Sequence, residues 1–215
     1  MEKTASPLIN ERMESPLIFL VFFGIMAAFF WFGLRSHKRL IAEFAVWAAA
    51  QGLTVREGPW WSTPLEAAGV RSGRRVEVST FTTGSGKSRT TWLAVVVKGV
   101  PGRLELSLVR QGFGTKISEW FGTKEIEVGD AAFDARWFVR SNRAEFVAAA
   151  LLPEIRARID AVAGLGGRSF KIEVQAGQVK YVEQGGVTSA SMRRTEQVFP
   201  LLEELAALAE VESAG

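Results

Sequence analysis

Between Glu14 and Arg35 the chain carries twenty consecutive residues without a charge, SPLIFLVFFGIMAAFFWFGL. An α-helix of that length reaches ~30 Å, the thickness of a bilayer's hydrocarbon core. The run is therefore expected to form a transmembrane helix. A helix that is apolar all round has one other home, the core of a soluble protein. The six phenylalanines and the tryptophan in this run weigh toward lipid.

The flanks orient the span. Residues 1–14 hold three glutamates against Lys3 and Arg12, whereas Arg35, Lys38 and Arg39 follow the run at once. The positive-inside bias then predicts a short extracytoplasmic tail (1–14), a span (15–34), a juxtamembrane helix (35–51) and a cytoplasmic domain (52–215). Arg35, His37, Lys38 and Arg39 are the expected membrane-interface residues. A cleaved signal peptide would need a basic start, a shorter apolar core and small residues at the cut. None of these is present.

The chain has no cysteine and a single histidine, His37. Disulfides, thiolate catalysis, Ser-His pairs and multi-His metal sites are thereby excluded from the expectation. From Arg35 onward 24 basic residues face 20 acidic ones, a net of +4, too small and too dispersed to argue for nucleic acid. No catalytic residue, cofactor or metal is expected.

Beyond Leu34 no proline or glycine occurs before Gly52, and Leu40, Ile41, Phe44, Trp47 and Ala48 keep a helical stripe. The membrane helix is expected to run on and stop at Gly52. The period then shortens. Residues 74–81, 91–97 and 103–109 alternate or are β-branched and read as an antiparallel meander, with Leu104, Leu106 and Leu108 inward and Arg103, Glu105 and Ser107 outward. A short strand is expected at 136–140, after the turn-like VGDAAFD. A helix follows over 142–163, kinked or restarted at Pro153, then a hairpin (SFKIEV, QVKYVE) and a last helix over 192–210. The fold class is α+β.

Gly84-Ser85-Gly86-Lys87-Ser88 invites a nucleotide reading, because glycines ahead of Lys-Ser cradle phosphate in P-loops. That motif needs a glycine where Phe81 stands and a helix behind it whose N-terminal amides meet the phosphate. The residues that follow, RTTWLAVVV, favour a strand. The stretch is expected to be a hairpin tip that binds no nucleotide.

Glu125, Glu127, Asp130 and Asp134 place four carboxylates in ten residues. The glutamates are expected to face water and the aspartates to serve local turns, since a Ca²⁺ loop's spacing is absent. Trp60, Trp61, Trp120 and Phe121 fall in loop-like sequence and are the candidate interaction aromatics, for a headgroup zone or a partner protein. Arg71, Arg74, Arg75, Lys87 and Arg89 decorate the first hairpin and read as a solvated face.

At EIEVGDAAFDARWFVRSN, followed by LLPEIRARI, the chain resembles a widespread group of bacterial proteins that join an N-terminal hydrophobic segment to an α+β domain. In that group a Gly-Asp, a Phe-Asp and a Phe-x-Val recur before a helix of the form LLxPELR. Gly129, Asp130, Phe133, Asp134, Phe138, Val139 and residues 151–156 match, and the likeness extends loosely over 39–211. It implies a bacterial inner-membrane setting and assigns no catalytic residue.

The function expected from these residues is a single-pass membrane protein that serves a membrane complex as a non-enzymatic accessory or scaffold subunit. Its partners would be membrane lipid and other proteins, with no nucleic acid and no nucleotide. A membrane-anchored domain that binds lipid or a small apolar ligand is the alternative, and a hydrolytic or nucleotide-dependent enzyme the third reading.

Overall fold

The structure, a computed structural model, describes residues 14–56, 65–110, 125–165 and 170–214. The chain divides into two units, Met1–Ala42 and Glu43–Gly215. Helix α1 (Glu14–Ala50) supplies the described part of the first unit and the opening turns of the second. In the first unit every large apolar side chain from Ile18 to Phe32 is more than half exposed, Phe29 reaching 72%. This helix is long and apolar enough to cross a membrane.

In the second unit α1 becomes amphipathic. Phe44 and Ala48 are fully buried, Trp47 stacks on Phe44 at 5.5 Å and on Phe199 at 6.2 Å, and its Nε1 donates to Glu196 at 3.0 Å. Gly52 ends the helix as expected. Its φ of +73° is one that a side chain resists.

After this turn four strands form an antiparallel meander: β1 (Leu53–Val55), β2 (Glu66–Arg71), β3 (Arg74–Thr83) and β4 (Thr90–Lys98). Then follow β5 (Leu106–Arg110), α2 (Ala131–Asp134), β6 (Trp137–Ser141), α3 (Ala144–Ala150), α4 (Pro153–Gly164), β7 (Phe170–Gln175), β8 (Gln178–Gln184) and α5 (Ser189–Ala214). All eight strands join one sheet in the order β1-β2-β3-β4-β8-β7-β5-β6. The protein is α+β, with the antiparallel meander, helix, hairpin and C-terminal helix that the sequence predicts.

Strand membership differs from the sequence reading. Residues 103–109 were expected beside β4, but β8 takes that edge and the β7–β8 hairpin lies between β4 and β5. The link from β4 to β5 passes over the hairpin's turn, where Val100 N–H donates to the Gly177 carbonyl at 3.1 Å. β5 has both edges paired, to β6 and β7, and the side chains on both its faces are buried. Leu106 and Leu108 are buried as expected, and so are Ser107, expected outside, and Val109.

Pro153 starts α4 at a position where its missing N–H has no partner to lose. Val147, Leu151, Ile155, Ile159 and Val162, spaced four, four, four and three residues apart, are all buried. The turn-like VGDAAFD contains the short helix α2. In α5, which lies across β4, β8 and β7, Val198, Leu201, Leu202 and Leu205 are buried. Leu208 is only half-buried, and Ala206 and Ala209 fill the tight contact instead.

Candidate functional site

Two regions bear on function: the collar that follows the apolar run, and the face of the sheet under α4 and α5. In the collar Arg35, His37, Lys38 and Arg39 are all exposed on α1. Arg35, Lys38 and Arg39 share one helix side by their three- and four-residue spacing. The Arg35 guanidinium lies 5.5 Å from the centre of the Trp31 ring, an arrangement that joins an amphipathic ring to a cation. Such a collar can bind anionic headgroups. Trp60, Trp61, Trp120 and Phe121 lie outside the described residues.

The glycine-rich stretch is a hairpin tip. β3 and β4 pair as far as Thr83 with Thr90, and between them only a three-residue 3₁₀ turn forms (Gly86–Ser88). Gly84 has φ +79°, and a Cβ there would collide with the Ser88 carbonyl oxygen. The glycines are explained by this turn. The turn leads into the strand β4 and not into a helix.

The acidic cluster serves the backbone. Asp130 caps α2 by accepting from Ala132 and Phe133 N–H, both at 3.1 Å, and Asp134 accepts from Val128 N–H at 3.0 Å. Arg156 ties α4 to the same loop, reaching Asp130 at 3.6 Å and the Val128 carbonyl at 3.3 Å. Glu125 and Glu127 are exposed, as expected. The residues of the Gly-Asp, Phe-Asp and Phe-x-Val pattern thus build a corner: Gly129 at φ +78°, the two aspartates, and buried Phe133 and Val139. Among the described residues no three His, Asp or Glu side chains converge as metal ligands would.

Most of the first hairpin's arginines are not a free solvated face. Arg71 pairs with Glu203 at 3.3 Å and lies 4.4 Å from the Phe199 ring centre, while Arg74 pairs with Glu210 at 2.7 Å. Both hold α5. Arg75 and Lys98 flank Glu77 at 2.8 and 2.6 Å, and the hydrogen bond from Lys98, more than the opposing burial, holds the Glu77 carboxyl below its ordinary pKa.

Sequence reasoning missed the buried carboxylate. Glu183, 1% exposed, accepts from Arg194 Nε and Nη2 at 2.9 and 3.0 Å and from the Tyr181 hydroxyl at 2.9 Å. Burial first, and then the charge of Glu183, pushes the Tyr181 hydroxyl well above its usual range. Glu183 in turn raises Arg194. The signal was legible: Val179, Tyr181 and Glu183 alternate on one strand face, and a carboxylate at an inward position demands a buried partner. Rings continue from Tyr181 through Phe170, Trp137 and Phe133 at 5.1, 5.4 and 6.0 Å, ending where Trp137 Nε1 donates to Asp160 at 2.8 Å.

Above this row, between α4 and α5, lies a half-open groove of about 400 Å³ lined by Arg158, Val162, Leu165, Ala190, Arg193 and Glu196. It lies between two helices and not between helix and sheet. Arg158 and Arg194 at its walls are committed to Glu204 and Glu183. The arrangement can hold an apolar chain. It presents no nucleophile paired with a base.

No protein family, no curated protein and no solved structure matches this chain.

Proposed function

We propose that the chain is a single-pass protein of a bacterial inner membrane, with residues 1–14 outside, 15–34 spanning and the α+β domain in the cytoplasm, where it acts as a non-enzymatic accessory or scaffold subunit of a membrane complex. One observation carries this reading: the outward-facing aromatic helix from Ile18 to Phe32, followed directly by the collar of Arg35, His37, Lys38 and Arg39. A helix with that surface is stable in lipid and costly in water, and the charge step across it favours the stated orientation. Purification of the full chain in mild detergent tests the function. Protein partners retained in fixed ratio support the scaffold, and a chain that purifies alone under every mild condition refutes it.

The groove between α4 and α5 favours a second reading, a domain that holds a lipid or small apolar ligand, since its volume lies within the range of ligand pockets. Lipid co-extracted in stoichiometric amount, and lost in Leu165→Glu at the exposed groove wall, would support it.

A further inference from the structure

The two ends of the sheet are unlike. At one end the strands stop together, near Arg71, Arg74, Lys98, Gln175 and Gln178. At the other, β3 and β4 run on to Thr83 and Thr90, ~13 Å past Ser79, the last β3 residue paired with β2, and ~7 Å past Trp92, the last β4 residue paired with β8. Residues 81–89 are all exposed. Lys87 and Arg89 at this tip have no hydrogen-bond or ion-pair partner among the described residues, and residues 78–104 contain no aspartate or glutamate. The tip's positive charge is not offset locally.

The chain enters the second unit from the same end. Along α5, Arg194 meets Glu183 near the end of β8, Glu196 and Phe199 meet Trp47, Glu203 meets Arg71, and Glu210 meets Arg74. The final turns of α1 follow that direction, since Gln51 reaches Arg71 through its carbonyl at 3.0 Å. Glu43 therefore lies toward the end that bears the tip. Eight residues, 35–42, lie in sequence between the apolar run and Glu43, a tether that reaches at most ~28 Å.

We infer that this end of the domain is a membrane-facing surface, on which Lys87 and Arg89 of the β3–β4 tip engage the anionic headgroups of the bilayer that holds the apolar run. The inference rests on the anchoring reading above. A cation held near an anionic surface raises occupancy roughly fivefold, so two contribute roughly twenty-fivefold.

The absence of cysteine makes single-site labelling direct. Ser85→Cys places a fluorophore at the tip, where the native side chain caps nothing. Val211→Cys places one on an exposed site of α5 at the opposite end. The full chain is reconstituted in phosphatidylcholine vesicles with or without phosphatidylglycerol, containing a headgroup spin-label quencher. With phosphatidylglycerol, strong quenching is expected at position 85 and weak quenching at 211. The difference should fall without the anionic lipid, in 1 M salt, where the screening length is ~3 Å, and by roughly twenty-fivefold in surface occupancy in K87Q/R89Q. Equal quenching at both positions, or quenching indifferent to lipid charge and to K87Q/R89Q, overturns the inference. Flotation separates it from the anchoring reading: a chain that does not float overturns both, and one that floats without quenching at 85 overturns only the membrane-facing tip.

Discussion

Glu183 shows what a single side chain can decide in this fold. Its carboxylate is buried with two arginine N–H groups and one hydroxyl, so its charge is tolerable only while they remain. Arg194→Met should cost about 3–5 kcal/mol because it strands the carboxylate. The double variant Glu183→Gln/Arg194→Met should recover a large part of that loss, as chemical denaturation followed by tryptophan fluorescence would show. Recovery of nothing would mean that Arg194 acts through packing alone. Glu77 gives a pH dependence of known sign. Its folded pKa lies below the ordinary value, so the stability it adds is complete only above the ordinary glutamate pKa of about 4.3 and is lost as the pH falls from there through the lowered value. Glu77→Gln should flatten that part of the acid limb, within about 1 kcal/mol because Arg75 and Lys98 are largely exposed.

At the scale of elements, local chemistry sets the ends and tertiary pairing sets the neighbours. Thr188 and Ser191 cap the start of α5 reciprocally: Ser191 N–H donates to the Thr188 hydroxyl at 3.1 Å, and Thr188 N–H to the Ser191 hydroxyl at 2.8 Å. Thr188→Ala should lower stability by about 1 kcal/mol, measurable by thermal unfolding. Marks of this kind are legible in sequence, as Gly52, Pro153, the Gly84 turn and the capping Asp130 all were. The neighbour of β4 was not. The alternation in residues 103–109 reports which residues face a core and says nothing of which strand lies alongside, and Ser107 resembles a solvent position until both faces are covered. β1 and β2 were missed for a related reason: β1 is three residues long, and the Ala67-Ala68-Gly69 of β2 has little β-propensity. The pairing with β3 holds it extended. Glu183 was legible only as a demand, since its partner Arg194 belongs to another element.

For the molecule as a whole, a reporter active only in the periplasm and fused after Gly215 should stay silent, and activity there would reverse the proposed orientation. Intact mass should include residues 1–34; loss of the apolar run together with the residues before it would mark it as a cleaved leader. Replacing residues 15–34 by a leucine span of equal length should keep the chain in the membrane. If the aromatic surface docks on a neighbour, the complex will be lost; if every partner remains, the cytoplasmic domain alone holds them. The order of the sheet also sets a timetable for the chain's birth. Lys98 closes β4, but the strand that pairs with its far edge begins only at Gln178, a wait of roughly 4–16 s at ordinary rates of synthesis. Through that interval a half-finished protein, Val-Val-Val at its open border, stands beside the ribosome with nothing yet made to close it. A nascent chain stalled before Gln178 should therefore recruit chaperones or self-associate, and one stalled beyond Gly215 should do neither.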